Sequence, residues 1–396
     1  MADAIPATPP RPPLWRNTRV RRVLGQLIFG LAVLFVAREV FFNLEFNAAA
    51  RRQDLSFNFL NSQAGFAIAD TPIEYESTDP VSRAFQVGIA NTLRVSLLGI
   101  LFTSILGLII GVARLSSNWL VRKLAQVYVE LFRNTPVPLQ VIFWWGAVFL
   151  AIPSIDESLS LFDVAYLSNR GLVIPWLRLE DGASAWGLAL LGAALVGAAI
   201  WLWRTRVNER TGEPHHRVLW SFGVFLGIAA LGYLLTGTPT RANLPQIAET
   251  GFSFEGGVRF GTEFAALLFA LVLYTAAFIA EIIRGSIQAV PKGQREAAES
   301  LGLSRFEQLR FVILPQALRI AIPAINSQYL NLLKNSSLGI LIGFYELLRV
   351  SRSIITGRGH DTQVLLMAML SYLAMCLAIS FLMNRVNRAV TVRGAR

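Results

Sequence analysis

The chain has 396 residues, of which 54% are hydrophobic and 15% charged, and carries a formal net charge of +11. A mean hydropathy of +0.50 excludes a water-soluble domain and predicts an all-α integral membrane protein of about eight spans, each of roughly 20 apolar residues. No aromatic-interleaved basic groove accompanies the positive charge, so it reports topology and anionic membrane lipid and excludes nucleic acid, while a lone cysteine, Cys376, excludes a disulfide within the chain.

Residues 1–22 read as a cytoplasmic N-terminal segment, rich in Arg and Pro from Pro9 to Arg22. No small-residue cleavage site follows, so the first apolar run, Val23–Phe42, reads as an anchor and not a removed signal peptide. Arg38 and Glu39 sit near its far end. Residues 23–86 hold this span and a periplasmic segment. Between Asn43 and Ser82 that segment carries Phe57, Phe59, Leu60, Phe66 and Tyr75, too apolar for a plain linker and a candidate for a small outer cap.

Residues 87–388 form the transmembrane domain. Its first span, Val87–Ala113, holds Arg94 with Asn91 and Thr92 in the outer half. Two roles are open for Arg94: snorkelling to the outer headgroups, or a cationic portal for acidic substrates. Val121, Leu124, Val127, Tyr128 and Leu131 then recur at helical spacing, which predicts an amphipathic helix along the inner surface. Thr135-Pro136 ends it and opens the span Pro136–Pro153. Glu130 with Arg133, and Glu281 with Arg284, stand at i,i+3, as surface pairs or as gating contacts. An insertion at about 154–260 contains the spans Ser184–Trp203 and Val218–Thr236, joined by the charged turn Arg204 to Arg217.

The span Thr262–Ile283 leads into a loop at about 285–320. Pro291 suits a helix start and Gly302 a C-terminal cap, so a short helix is predicted from Lys292 to Leu301. Ser304 with Glu307 is a capping box that restarts a helix, which Pro315 and Pro323 break or bend. In the span Pro323–Phe344, the residues Ser327, Asn331, Lys334, Asn335 and Ser336 form a polar stripe. An ammonium near mid-membrane is costly and faces a pathway or a partner. Lys334 is thus a candidate for the substrate α-carboxylate, for a sister subunit, or for the inner interface if the span starts later. The last span is Thr362–Met383, and residues 389–396 form a cytoplasmic tail. With both termini inside, inner segments hold about 23 basic residues and outer ones about 10. The loop after Phe344, with Arg349, Arg352 and Arg358, runs against this bias.

Several chemistries are absent. There is no nucleotide-binding Gly-rich loop ending in Gly-Lys-Ser/Thr, and the histidines His215, His216 and His360 fall outside the predicted spans. No catalytic triad, paired carboxylates, metal site or cofactor site is predicted.

Two stretches carry a family resemblance. From Glu296 to Pro315 the chain reads EAAESLGLSRFEQLRFVILP, with Glu296, Ala297 and Ala298 followed by Gly302 and then Val312 to Pro315. This spacing resembles the EAA loop of permease subunits in ABC-type importers, with Val312 where the family usually has Ile. The string Tyr128 to Pro136 resembles the Y-x-E-x-F-R-x-T-P signature of polar amino-acid permeases, and Tyr274 to Gly285 fits the same subfamily. The likeness is strong over about Val87–Leu150 and Phe278–Arg388. The extended N-terminal region and the segment Leu167 to Leu172 make the chain similar to the larger permeases of general L-amino-acid transporters of Gram-negative bacteria.

The resemblance implies a type I importer permease core of five spans, with an extra N-terminal span and a two-span insertion. It implies a multi-pass protein of the bacterial inner membrane that translocates L-amino acids, polar or acidic ones and their amides, by alternating access. The implied partners are a second homologous permease, a cytoplasmic ATPase dimer that hydrolyses the ATP, and a periplasmic amino-acid-binding protein. ATPase contact then falls to Glu296, Ala297, Ala298, Gly302 and Phe306. An ion-coupled secondary transporter would need intramembrane carboxylates or repeats that are not seen. A scaffold without a pathway would tolerate loss of Lys334 and Glu296.

Overall fold

The computed structural model describes residues 18–50, 56–212, 216–248, 250 and 253–393. Most of the N-terminal lead and the end of the tail lie outside the described residues. Helix α1 (Thr18–Ala50) contains the expected first span but interrupts it with Arg38 and Glu39. After it, the described residues of the outer segment hold one 3-10 turn, Asn58–Asn61, and otherwise irregular chain. Phe59, Ala64 and Ile68 are buried there against Val81, Phe85 and Val350, so the segment caps the outer end of the bundle.

The bundle is built on α2 (Val81–Ala113). Next come α3 (Trp119–Asn134) and α4 (Val137–Phe143), the latter continued by a wide π turn, Trp144–Phe149. The insertion follows, with strands β1 (Leu159–Leu161), β2 (Ala165–Ser168), β3 (Gly171–Ile174) and β4 (Trp176–Leu179). Then come α5 (Ala183–Thr211), α6 (Arg217–Leu235), β5 (Thr240–Asn243), β6 (Gln246–Ile247), β7 (Phe254–Glu255) and β8 (Val258–Phe260). The chain ends with α7 (Thr262–Gln288), α8 (Lys292–Ser300), a single turn α9 (Arg305–Glu307), a π turn, Gln308–Ile313, and α10 (Leu314–Asn335). A 3-10 stretch, Ser336–Ile342, leads to α11 (Leu347–Arg358) and α12 (Asp361–Arg393).

Among the described residues, six helical stretches are long and apolar enough to cross a membrane, and Val137–Phe149 is a shorter apolar one.

Glycines on α2 let its neighbours come close. A methyl group at Gly107 would stand 2.6 Å from Ile279 Cγ2, and one at Gly111 would stand 3.0 Å from the Ala280 carbonyl. α2 and α7 thus pack backbone to backbone as parallel neighbours, a contact lipid cannot supply and only small residues permit. Higher on α2, Leu332 of α10 fills the space at Gly99 and Leu347 of α11 that at Gly88. Phe264, Leu267, Leu271 and Leu332 form the centre of the core and are almost wholly buried.

α3 packs against the middle of α7. Val129 packs with Ala277 and Ala280, and the Tyr128 hydroxyl donates to the Leu273 carbonyl at 2.7 Å, near the middle of α7. Ala125 and Val129 are the buried residues of α3, and most of its other apolar residues are exposed on the single chain. The chain breaks at Thr135-Pro136 before α4 and the π turn. Gln140 Nε2 repairs the break by donating to the Phe132 and Thr135 carbonyls, both at 3.0 Å.

The insertion is a helical hairpin, α5–α6, with strands at its outer end. β1, β2, β3 and β8 form one antiparallel sheet in that order, with Tyr166 opposite Val173 and Val173 opposite Arg259. β4 and β5 pair directly above the hairpin, Leu179 opposite Thr240.

Candidate functional site

The loop between α7 and α10 is held rigidly. Pro291 precedes α8, and Gly302 at φ +73° ends it, its amide donating to the Glu299 carbonyl at 2.9 Å. A non-glycine residue adopts that left-handed conformation only at a cost. Leu303 N donates to the Ala298 carbonyl at 3.2 Å. The capping box is present: Ser304 N donates to Glu307 Oε2 at 2.9 Å, and Glu307 N to Ser304 Oγ at 3.4 Å. Both its parts leave Glu307 below the usual carboxylate range only through exposed local contacts, so the box is a local staple. Gln316 Nε2 donates to Gln294 Oε1 at 3.1 Å, and Arg295 Nη2 to the Ile287 carbonyl at 3.1 Å, fastening α8 to α10 and α7. Pro315 stands at the start of α10, directly after the π turn that interrupts the regular helix, and Pro323 sits inside α10 without ending it.

On this loop Glu296 and Ala297 are exposed, whereas Ala298 is only 2% exposed. Leu301, which the sequence reading missed beside Gly302, is 80% exposed and Phe306 67%. The loop therefore presents two large apolar side chains and a carboxylate on a fixed frame.

The polar stripe on α10 divides. Ser327, Asn331 and Lys334 are exposed on one face. Asn335 is half-buried, and Ser336 is fully buried, its hydroxyl donating to the Leu333 carbonyl at 2.7 Å. Leu332 meets Gly99, close to the middle of α2, so Lys334 stands near mid-height of the bundle. Among the described residues no ion pair engages Lys334. Lys334 is thus an unpaired, exposed lysine at mid-height of the single chain.

Just beyond the stripe lies a feature the sequence reading did not find. Glu346 has no exposed surface, and no cation pairs with it among the described residues. Its carboxylate caps α11, accepting from the Leu348 and Arg349 amides at 2.8 Å each and from the Tyr372 hydroxyl at 2.7 Å. From α2, Thr92 Oγ1 accepts the Leu347 amide at 3.0 Å, and Asn91 Nδ2 donates to the Tyr345 carbonyl at 3.0 Å. α2, α11 and α12 are thus pinned together at one buried polar knot. The only sequence signal was a carboxylate between two apolar runs.

The charged pairs resolve unequally. Arg284 Nε meets both Glu281 oxygens, at 3.1 and 3.0 Å, and Arg114 Nη2 reaches the same carboxylate at 3.6 Å, joining α7 to the end of α2. Glu130 and Arg133 are not brought together. Glu130 accepts from Gln126 at 2.6 Å, and Arg133 lies over the Phe278 ring at 5.0 Å. At the outer end Arg94 is neither snorkelling nor free. It pairs with Asp70 at 2.8 Å, donates to the Arg259 carbonyl at 3.1 Å, and lies over Phe260 and Phe264 at 4.6 and 4.4 Å. Asp70 also accepts the Gly261 amide at 2.8 Å, so this staple fastens the outer segment to the start of α7.

A hollow of about 1920 Å³ lies along the flank of α2 and α7 below this staple, lined by Leu97, Phe102, Ile105, Ile109 and Phe269. Asp70, Arg94, Arg170, Arg259 and Glu263 line its outer end. Among the described residues no cluster of metal-ligating side chains occurs.

Residues 218–392 match the family described as binding-protein-dependent transport system inner membrane component. YhdX of Escherichia coli K12, named an amino-acid ABC transporter permease protein, is 42% identical over 377 residues, covering 95% of each chain. AapQ of Rhizobium johnstonii, a general L-amino acid transport system permease protein, is 39% identical, over 94% of this chain and 92% of its own. BztB of Rhodobacter capsulatus, a glutamate/glutamine/aspartate/asparagine transport system permease protein, is 36% identical over 95% of each.

Proposed function

The chain belongs to the amino-acid ABC transporter permeases, and from that premise we propose how its parts are used. It is a multi-pass, non-catalytic membrane subunit of an importer that works with an ATPase and a substrate-binding protein. The finer reading is ours. Both termini face the cytoplasm of a bacterial inner membrane, and a second homologous permease completes the pathway on a pseudo-two-fold axis. The binding protein stands on the periplasmic side, and an ATPase dimer grips the loop at 285–320. The domain boundaries are 1–22, 23–86, 87–388 and 389–396, with the insertion at 154–260.

The observation that carries this reading is the exposed pair Leu301 and Phe306 on a rigid, capped loop. Large apolar side chains so exposed on a fixed frame fit a pocket on a partner, and Glu296 beside them fixes orientation through an Arg or Lys. Gly302 shapes the turn, and Ala298, facing inward, supports the helix. ATP-driven closure of the ATPase subunits moves the loop, and α8 passes that motion to α7 and α10 through Arg295 and Gln316. The spans then rock as rigid bodies between outward- and inward-facing states.

The exposed face of Ser327, Asn331 and Lys334, with Asn335 at its edge, lines the path and offers an ammonium to the α-carboxylate every amino acid carries. Ser336 supports that face from inside. Glu281 and Arg284, with Arg114, form an inner gate contact; Arg133 faces the sister subunit, with Glu130 beside it. Arg94 shapes the outer mouth through Asp70. The substrates are L-amino acids, polar or acidic ones and their amides included. The test is gentle extraction of the tagged chain and mass spectrometry of what accompanies it. Stoichiometric ATPase and a second permease support the reading; recovery of this chain alone, still moving amino acids without ATP, refutes it.

A further inference from the structure

The α5–α6 hairpin makes its extensive contacts with itself. Its buried residues, Ala193, Gly197 and Ser221, lie on the seam between the two helices, while Leu191, Leu195, Leu219 and Phe222 are exposed outward. α5 has 29 residues and so runs about 43 Å, well beyond the roughly 30 Å of a hydrocarbon core. β4 and β5 sit at the outer end: β4 directly follows β3, which pairs with β8, the strand that leads into α7. The excess length of α5 therefore projects at the other end, on the side of the α8 loop.

The two ends are built differently. At the outer end Arg241 pairs with Glu180 at 3.1 Å, and Arg178 and Asp181 complete a neutral set. At the inner tip the sequence from Arg204 to Arg217 holds four arginines against Glu209 and Glu213. There Trp201, Trp203 and Trp220 form an exposed collar. Arg204 lies over Trp220 at 4.6 Å, and Arg217 over Trp201 at 5.2 Å, so each guanidinium crosses to the opposite helix. Stacking engages the face of a guanidinium and leaves its N–H rim in plane for an anion. Arg206 and Arg210, four residues apart on one face of α5, are exposed, and among the described residues neither joins an ion pair.

We propose that the inner tip of the α5–α6 hairpin is a binding site for an anionic phospholipid. Arg206, Arg210 and Arg217 hold its headgroup phosphate, and the tryptophan collar and apolar helix flanks hold its acyl chains. An indole belt with guanidinium groups just beyond it matches the two-part chemistry of such a lipid, whereas a soluble anion would have no use for the collar. The site gives the inserted hairpin a fixed depth and rotation in the leaflet, and with it the outer sheet that α5 and α6 carry.

The experiment uses the whole importer, isolated with its accompanying subunits and stripped of lipid. It is titrated separately with phosphatidylglycerol and phosphatidylcholine, and retained lipid is counted by native mass spectrometry. Wild type retains phosphatidylglycerol selectively. The triple variant Arg206→Gln, Arg210→Gln, Arg217→Gln loses that selectivity severalfold with phosphatidylcholine retention unchanged. The matching triple lysine variant keeps most of it. Equal retention of the two lipids by wild type overturns the proposal without any variant. So does displacement of phosphatidylglycerol by millimolar inorganic phosphate alone, or a glutamine variant that retains phosphatidylglycerol as before but sheds another subunit, which would make the tip a protein surface.

Discussion

Replacing Glu346 by Ala removes the one acceptor that serves three donors in a fully buried site. The Leu348 and Arg349 amides and the Tyr372 hydroxyl lose their partner, and Glu346 has no exposed surface through which solvent could substitute. Each stranded donor costs about 1–3 kcal/mol, and loss of a helix cap alone costs about 0.5–2 kcal/mol. Against this, the variant no longer buries a carboxylate without a cation, which returns several kcal/mol of desolvation. The balance is a loss of about 3 kcal/mol for Glu346→Ala. Glu346→Gln keeps a carbonyl for the amides and an amide for the Tyr372 oxygen, at no charge-burial cost, so it loses only about 1 kcal/mol. Unfolding titrations in mixed micelles, followed by tryptophan fluorescence, read both. An Ala variant within about 0.5 kcal/mol of wild type, or a Gln variant no better than Ala, would refute the capping role.

Three further outcomes are expected. Leu301→Asp with Phe306→Asp should leave the chain inserted but strip the ATPase from the isolated complex; undiminished co-isolation contradicts the docking surface. Lys334→Gln should preserve subunit assembly while cutting ATP-driven uptake at least tenfold, about 1.4 kcal/mol or more of lost differential interaction; unchanged uptake removes Lys334 from the path. Gly107→Val should force α2 from α7, because even its first carbon would meet Ile279 at 2.6 Å, and lower stability by about 1–3 kcal/mol. A thermal unfolding curve unshifted from wild type would show that the two helices can part freely.

The loop at 285–320 was legible because its determinants are local. A proline, a left-handed glycine and a capping box each act within a few residues of themselves, and all three stand where the spacing placed them. The break at Thr135-Pro136 and the amphipathic period of α3 were equally plain. That the buried face of α3 meets Ala277 and Ala280 was not, because that contact joins residues some 150 positions apart. Glu346 was hidden for a different reason: its role depends on Tyr372, 26 residues away, and on α2, some 250 residues upstream. Arg94 likewise took its meaning from Asp70, across a segment whose irregular chain has no period to read. The strands of the insertion run two to four residues, too short for alternation to register.

The central claim is that the α8 loop couples this chain to an ATPase. Glu296→Arg reverses one exposed charge on that loop without touching the core. The measurement is uptake of labelled glutamate by proteoliposomes holding the whole complex, with and without ATP inside. The account predicts normal insertion and assembly of the spans with ATP-driven uptake sharply reduced. Wild-type uptake by the Glu296→Arg complex would contradict it.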